Sequence, residues 1–230
     1  MSDAYRAEQA DLRVRSFIQQ VYGWMAAALA VTGFVALAVT RSRALQQIIF
    51  GTPYVFFGLI IGELLLVMWL ATRISRMTAS TATTVFVAYS ALNGLTLGAV
   101  FLAYTEATVA QAFFVTAGLF TVMTLYGFFT KTDLTRIGNL LGMALIGFII
   151  ATVVNLFLRS EALYWIITYV GVVVFVGLVA YDSQRIKEMA LAGAGDGEEG
   201  RKHAVMGALR LYLDFVNLFL LILRILGRRR

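Results

Sequence analysis

The chain has 230 residues, of which 60% are hydrophobic and only 14% are charged. Soluble globular domains do not have this composition, so the sequence indicates an integral membrane protein. The chain contains no cysteine, which excludes disulfides, thiol catalysis and cysteine-ligated metals. Its net charge of +6 comes from connecting segments and chain ends, which suits anionic lipid headgroups better than nucleic acid.

The first sixteen residues mix acidic and basic side chains. They do not resemble a cleaved signal peptide, because the apolar run that follows them is too long. Arginines alternate here with apolar side chains, which predicts a cytoplasmic or interfacial segment at residues 1–16. It forms either a short helix in the membrane interface or a frayed end.

Seven apolar runs follow, each close to the roughly 20 residues that a helix needs to cross a bilayer. They cover residues 17–39, 54–71, 83–103, 108–129, 140–157, 163–181 and 207–226. Most connectors are short, so successive helices are antiparallel neighbours. The segment 183–206 is rich in Gly, Asp and Glu and predicts a long cytoplasmic loop. We therefore predict an all-α, polytopic membrane protein, a bundle of seven transmembrane helices in one domain, 1–230.

Lysine and arginine residues are more numerous on one side of this arrangement, which places the N-terminus in the cytoplasm. The final Arg228, Arg229 and Arg230 fit this orientation poorly if the last run crosses the membrane completely. A re-entrant last segment would return them to the cytoplasm. We predict seven complete crossings, because the last run is long enough to span the bilayer.

Small and amide side chains mark predicted contacts between helices. Three glycine pairs have the four-residue spacing that lets membrane helices approach closely. They are Gly58 with Gly62, Gly94 with Gly98, and Gly138 with Gly142. Amide side chains within the runs are expected to form hydrogen bonds between helices. They are Asn93, Asn155 and Asn217.

Few acidic or basic side chains lie within the apolar runs or directly at their ends: Glu63, Asp182, Arg210, Asp214 and Arg224. A carboxylate inside a membrane helix is costly, so it faces the protein interior or a wet cavity and is a candidate functional residue. Arg210 and Asp214 are about 40° apart on one helical face, whereas Arg224 lies about 15 Å beyond Asp214. Asp214 and Arg224 therefore need separate partners. Arg210 or Asp182 can pair with Asp214, and Glu63 is the acid available to Arg224.

Each of these residues also has a structural interpretation. Asp182 can be a helix-end acid among the lipid headgroups, and Asp214 a structural partner of Arg210. Glu63 and Arg224 can form a static pair that holds the bundle together. The single histidine, His203, lies in the predicted loop and is interpreted as a solvated side chain.

The most specific motifs of the chain are Tyr-Asp-Ser-Gln-Arg-Ile (181–186), Ala-Leu-Arg-Leu-Tyr-Leu-Asp-Phe-Val-Asn-Leu-Phe (208–219) and Leu-Arg-Ile-Leu-Gly (223–227). They closely resemble a bacterial member of the Bax inhibitor-1 family, the transmembrane Bax inhibitor motif proteins. The stretches 93–98 and 130–134 are similar as well, so the resemblance covers essentially the whole chain. It implies a bundle in which six helices surround a central C-terminal helix, and a pH-sensitive calcium leak across the bacterial inner membrane. The loop before the last helix looks longer than in compact members.

The resemblance also implies roles for single residues. Asp182 and Asp214 match a proton-sensing carboxylate pair, here called the dyad. Glu63 and Arg224 match an acid–arginine pair that latches the pore, here called the latch. Two carboxylates within hydrogen-bonding distance do not readily ionise together, so the dyad holds a proton and titrates as a unit.

The dyad oxygens suit calcium, a cation that prefers oxygen ligands, so Asp182 and Asp214 are also the candidate metal ligands. Arg210 and Asn217 are the expected neighbours of the dyad. No cofactor is expected apart from the transported or bound calcium ion. The expected partners are the lipid bilayer and calcium, and no nucleic acid. The sequence leaves the oligomeric state open and is compatible with a monomer.

Three other functional classes compete with the leak channel. Some bacterial members of the family modulate a membrane-bound AAA protease or a stress response through an N-terminal segment, for which residues 1–16 are available. A proton-coupled transporter lacks the inverted repeat expected of it. An intramembrane aspartyl protease would carry Gly-x-Gly-Asp, whereas the chain has Leu-Tyr-Leu-Asp ending at Asp214, and its only proline is Pro53. We therefore predict that the protein is not an enzyme.

Overall fold

The structure, a computed structural model, describes residues 3–193 and 197–227, with side chains described from residue 11 onward. These residues are helical apart from short connectors, and they contain no β-strand, which confirms the all-α class. In chain order the helices are α1 (Asp3–Arg41), α2 (Arg43–Phe50), α3 (Pro53–Arg73), α4 (Ala79–Ala103), α5 (Glu106–Phe129), α6 (Thr135–Leu158), α7 (Glu161–Leu191) and α8 (Gly197–Leu226). A 3-10 turn, Ile74–Arg76, follows α3.

Six spans within the described residues are long and apolar enough to cross a membrane. They are Asp11–Arg41, Pro53–Arg76, Ala79–Ala103, Glu106–Phe129, Thr135–Leu158 and Glu161–Leu191. They coincide with the first six predicted runs. The seventh run, 207–226, lies within α8, and its complete crossing stays a prediction. Among the described residues, α8 has more buried positions than any other helix.

The internal contacts of the chain divide it into two compact units. The first contains the chain up to Thr105 together with Met189–Tyr212. The second contains Glu106–Glu188 and the residues from Leu213 onward. Helix α8 contributes to both units, and the single-domain organisation stays a prediction.

In the first unit, α4 packs against α1 and α3. A Cβ atom built at Gly94 would lie 2.7 Å from the Cβ atom of Val35 on α1. One built at Gly98 would lie 2.6 Å from Cγ1 of Val39. The two backbones therefore approach so closely that only glycine fits, which confirms the predicted contact at this glycine pair.

The other two glycine pairs behave differently. A Cβ atom at Gly138 would lie 2.3 Å from the ring of Tyr181 on α7, so this glycine does mark a close contact. Gly58, Gly62 and Gly142 have no neighbour within 4 Å of such an atom, so the packing predicted for them is wrong. The spacing identifies a smooth helical surface, but not whether a helix or lipid covers it. The face of α3 also exposes large apolar side chains, as a lipid-facing surface does: Phe57, Ile61, Leu64, Leu65 and Met68.

The long loop predicted at 183–206 is wrong. Helix α7 continues to Leu191 and α8 begins at Gly197, so the connector is residues 192–196, of which 194–196 lie outside the described residues. Gly193 and Gly197 have left-handed φ angles of 84° and 69°, which L-residues with side chains rarely adopt. The polar composition of the segment reflects long-range polar contacts of these helical extensions. His203 accordingly is an exposed residue of α8.

The N-terminal segment forms the first part of a long helix. Helix α1 runs without a break for 39 residues, from Asp3 through the first span to Arg41. The residues from Asp3 onward are helical, so a frayed end is wrong there, and the short helix predicted for this segment is the first part of α1. Its position in the membrane interface stays a prediction, and Met1 and Ser2 lie outside the described residues. An exposed ion pair of 2.9 Å joins Asp11 and Arg15 one turn apart on this helix.

Candidate functional site

Asp182 lies within α7 of the second unit, nine residues before the helix ends at Leu191. It begins a run of three consecutive buried polar residues, with Asp182 8% exposed, Ser183 fully buried and Gln184 8% exposed. A helix-end acid among headgroups would be exposed, so the structural interpretation of Asp182 is not favoured. Consecutive residues point in three directions around a helix, so α7 is enclosed on several sides here.

Polar contacts hold this part of α7 to α5 and to the connector before α6. Oε1 of Gln184 accepts a hydrogen bond from the backbone N–H of Leu134 at 2.8 Å, and its Nε2 donates to the Thr132 carbonyl at 2.8 Å. Nζ of Lys187 donates to the Phe128 carbonyl at 2.6 Å. These bonds explain why a polar sequence continues the helix.

Close backbone contacts add to this anchoring. A Cβ atom at Gly127 of α5 would lie 2.3 Å from the carbonyl oxygen of Ala180, and the ring of Tyr181 covers Gly138 of α6. Asp182 therefore directly follows two consecutive residues, Ala180 and Tyr181, that are in tight contact with neighbouring helices. A side chain on such an enclosed segment has its position set by packing.

Asp214 is 5% exposed and lies on the part of α8 that belongs to the same unit. The next residue, Phe215, packs edge-on against Phe113 and Phe120 of α5, with ring centroids 5.7 and 5.6 Å apart. The structure thus places both predicted dyad residues in the interior of one unit, on two helices. Their sharing of a proton stays a prediction.

Among the described residues, no group of three or more His, Cys, Asp and Glu side chains is placed to hold a metal ion. A calcium ion bound by Asp182 and Asp214 would need carbonyl, amide or water oxygens to complete the six to eight ligands that it prefers.

Glu63 is 8% exposed and lies on α3 in the first unit. Its Oε1 accepts from the hydroxyl of Thr96 at 2.9 Å, and its Oε2 accepts from Nδ2 of Asn93 at 3.4 Å. Oδ1 of Asn93 accepts from the Tyr212 hydroxyl at 3.1 Å, which lies 2.7 Å from the Thr32 hydroxyl. A polar network of α1, α3, α4 and α8 therefore ends at Glu63, and the predicted interhelical bond of Asn93 is confirmed.

Arg224 has a different environment. Its guanidinium lies over the ring of Tyr164 on α7, 5.3 Å from the centroid, which is a cation–π contact. Each latch residue thus has a contact within its own unit, Glu63 with α4 and Arg224 with α7. Their pairing stays a prediction.

The other polar residues singled out in the sequence, Asn217, Asn155 and Arg210, have different surroundings. Nδ2 of Asn217 donates to the Leu213 carbonyl of its own helix at 2.8 Å. Oδ1 of Asn155 accepts from the backbone N–H of Ser160, next to the end of α6. The interhelical hydrogen bonds predicted for these two residues are therefore wrong, because the hydrogen bonds that the two side chains make are to nearby backbone groups. Arg210 is half-buried on α8, and its role beside the dyad stays a prediction.

The sequence is similar to one protein family and to several individual proteins. Residues 14–230 match the family described as "Inhibitor of apoptosis-promoting Bax1". The chain is 49% identical over 218 residues to the inner membrane protein YbhL of Escherichia coli, covering 94% of this chain and 93% of that protein. It is 40% identical to a protein of Borreliella burgdorferi, covering 100% and 99% of the two chains, and 36% identical to a membrane protein of Streptococcus pyogenes, covering 99% of each. With six apolar spans among its described residues, the chain is an integral membrane protein. It belongs to the Bax inhibitor-1 family.

Proposed function

We propose that the protein is a pH-sensitive calcium leak channel of the inner membrane, with Asp182 and Asp214 as its proton sensor. The observation that supports the proposal is the burial of two carboxylates on two helices of one unit. Buried carboxylates are expensive unless they are protonated, paired or bound to a cation. All three states belong to the cycle of a proton-gated cation pathway.

The structure suggests which element would move. Loss of the shared proton would leave two negative charges in the interior, which repel each other. The Asp182 segment of α7 is held by the Gln184 and Lys187 hydrogen bonds and by the contacts at Gly127 and Gly138. Beyond the hydrogen-bonded Tyr212, helix α8 packs against α5 through ring contacts of Phe215, which have fewer directional constraints. Separation of the dyad would therefore displace α8.

The remaining parts of the proposal follow the family resemblance. The extensive burial of α8 supports a central position for the last helix, surrounded by the other six. The Glu63–Arg224 latch would keep the pathway closed, in competition with the contacts that each residue makes within its own unit. The lysine and arginine bias supports a cytoplasmic N-terminus.

Calcium flux into dye-loaded liposomes, measured over a pH series, tests the proposal. The wild type and Glu188→Gln, which changes an exposed acid of α7, should show pH-dependent flux. Asp182→Asn and Asp214→Asn should lose the pH dependence, because the dyad then lacks one titrating partner. Absence of flux at every pH, or an unchanged pH profile in both dyad variants, would refute the proposal.

A second candidate function is modulation of a membrane-bound AAA protease or of a stress response. The observation that favours it is that the first part of α1, which begins at Asp3, carries exposed charged side chains such as Asp11 and Arg15 ahead of the apolar run that starts at residue 17. Deletion of residues 1–10 should abolish an effect on turnover of protease substrates and leave calcium flux intact. If the deletion abolishes flux and leaves turnover unchanged, the leak channel is favoured.

A further inference from the structure

Four side chains from four helices form a continuous row of hydrogen bonds in the first unit. They are Thr32 of α1, Tyr212 of α8, Asn93 of α4 and Glu63 of α3, and they are called here the Glu63 chain. The successive distances are 2.7 Å, 3.1 Å and 3.4 Å. The partners are up to 180 residues apart in sequence, so the chain exists only in the folded bundle.

The middle of the Glu63 chain is rigid. Tyr212 is fully buried, and its ring makes edge-on contacts with Phe86 and Tyr89 of α4, with centroids 5.6 and 5.9 Å apart. Thr32 is 4% exposed. A hydroxyl on a ring packed in this way cannot move to another partner, so it can respond to a change in Asn93 only by rotating its proton.

The charge on Glu63 fixes the direction of the hydrogen bonds. An ionised carboxylate only accepts, so Asn93 turns its NH₂ group towards Glu63 and its oxygen towards Tyr212. The single hydroxyl proton of Tyr212 is then donated to Asn93, and the tyrosine oxygen accepts from Thr32. Every donor points towards the carboxylate.

A protonated Glu63 reverses the requirement, because a carboxylic acid can donate. Asn93 then turns its oxygen towards Glu63 and its NH₂ group towards Tyr212, whose proton points to Thr32. The hydroxyl of Thr32 has two further acceptors in reach, the carbonyls of Ala28 at 2.9 Å and Ser90 at 2.8 Å. The chain can thus run in either direction without leaving a buried donor unsatisfied.

At the other end, Thr96 offers the same freedom. Its hydroxyl lies 2.9 Å from Oε1 of Glu63 and 3.0 Å from the Asn93 carbonyl, so it can donate to either oxygen. The structure therefore supplies spare acceptors at both ends of the chain and nowhere in its middle. This is the arrangement that a reversible row of hydrogen bonds requires.

We propose that the Glu63 chain couples the charge state of Glu63 to helix α8, with Asn93 and Tyr212 as positioning residues. Tyr212 lies two residues before Asp214, about 3 Å along the same helix, so a reorientation of its hydroxyl contacts acts next to the dyad. The role differs from that of the latch, because it needs no contact with Arg224. It rests on the proposed function only where calcium flux is the measurement.

Few other ionisable groups face Glu63 among the described residues. Tyr89 of α4 and Tyr212 of α8 interact with it electrostatically. Helix α2 and the 3-10 turn also contact α3, and their charged side chains are the exposed Arg43 and Arg76. Arg224 is the basic residue that the family resemblance pairs with Glu63.

The sharpest test is the direction of the Tyr212 hydroxyl, read by ultraviolet resonance Raman spectroscopy of the tyrosine ring doublet. The intensity ratio of this doublet responds to the hydrogen bonds that the hydroxyl donates and accepts. Glu63→Gln imitates the protonated acid, because its amide can donate to Asn93. The Glu63→Gln minus wild-type difference should show one tyrosine whose intensity ratio changes, because Tyr212 donates to the Asn93 amide oxygen in the wild type and to the Thr32 hydroxyl in the variant. The difference should vanish when both proteins also carry Tyr212→Phe, and it should survive Tyr104→Phe, which changes another buried tyrosine of the unit.

A thermal double-mutant cycle provides a second, independent measurement in detergent or nanodiscs. Glu63→Gln and Tyr212→Phe should each shift the melting temperature, and the double variant should shift it by an amount different from the sum. The pair Glu63→Gln with Tyr104→Phe should be additive. Additive shifts for Tyr212, or a Raman difference that survives Tyr212→Phe, would overturn the proposal.

A calcium-flux measurement then tests whether the Glu63 chain acts in the proposed function. Tyr212→Phe should shift the pH of half-maximal flux, and Tyr104→Phe should not; an unchanged midpoint in Tyr212→Phe would exclude coupling to the gate. If all proteins, including the wild type, lack flux, the leak function fails. The Raman and melting measurements would still decide whether the Glu63 chain couples Glu63 to Tyr212.

Discussion

Replacing Gln184 with alanine tests whether the Asp182 segment is held by the connector between α5 and α6. Gln184 is 8% exposed and makes two hydrogen bonds of 2.8 Å, one from the Leu134 N–H and one to the Thr132 carbonyl. Leu134 is 3% exposed, so its N–H would be orphaned at a cost of about 1–3 kcal/mol. Thr132 is exposed, so water can replace the amide at its carbonyl with little loss. Lost packing of the truncated side chain adds roughly 1 kcal/mol.

The expected destabilisation is therefore about 2–4 kcal/mol, or roughly 5–15 °C in melting temperature for a chain of this length. The measurement is thermal unfolding in a fixed detergent, with Gln111→Ala on the exposed face of α5 as the matched control. The control should melt within about 1 °C of the wild type, since exposed substitutions have small effects. If Gln184→Ala also melts within about 1 °C of the wild type, the two hydrogen bonds do not anchor α7. The inference that α8 is the moving element then fails.

Three further predictions concern other parts of the molecule. Gly98→Ala should destabilise the protein by about 1–3 kcal/mol through a clash with α1, measured by thermal unfolding; an unchanged melting temperature would exclude the close approach. Tyr164→Leu should remove the cation–π contact of Arg224 and lower the melting temperature, whereas the same change in an Arg224→Leu background should have a smaller effect; equal effects would refute the contact. Hydrogen bonds from the side chain and backbone of Thr135 lower the pKa of Asp133, so its stabilising contribution is present above the ordinary pKa and lost as pH falls through the lowered value. Asp133→Asn should reduce the acid-side loss of stability, and identical melting-temperature profiles against pH would contradict this.

The first six spans could be predicted from the sequence, because an apolar run of sufficient length has few alternatives to a membrane helix. The burial of Glu63 and Asp214 also followed from their positions within apolar runs, and that of Asp182 from its position at the end of one. These predictions depend on local composition. Local composition is sufficient to predict a span, because every side chain of a membrane helix must face either lipid or the protein core. The short helix α2 was missed, because eight residues after an arginine-rich connector give no comparable signal.

The contacts between distant residues could not be predicted. The segment around Gln184 and Lys187 has a loop-like composition, but its polar groups are satisfied by carbonyls and an N–H more than 45 residues away in sequence. Tyr212 looked like one more aromatic residue in an apolar run, although its hydroxyl lies between Thr32 and Asn93. The hydroxyl of a tyrosine within an apolar run was the only indication of this contact, since a buried tyrosine hydroxyl usually has a hydrogen-bond partner.

Helix α8 is unusual because charged residues hold its polar beginning in place. Glu198 accepts a hydrogen bond from the N–H of Ala79 at the N-terminus of α4, where the helix dipole favours a negative charge. Lys202, only 6% exposed, donates to the Ser75 carbonyl in the 3-10 turn, where the end of a helical segment favours a positive charge. Both side chains lie on one face of α8, four residues apart.

This anchoring limits how α8 can respond to the dyad. A helix fixed at Glu198 and Lys202 cannot slide along its axis without losing both contacts, so displacement at Asp214 would occur by tilting or bending beyond them. Tyr212 lies between the anchored turn and Asp214, where the Glu63 chain opposes or permits that motion. The helix thus carries its anchor, its positioning residue and its proposed proton sensor in that order, and each can be altered separately.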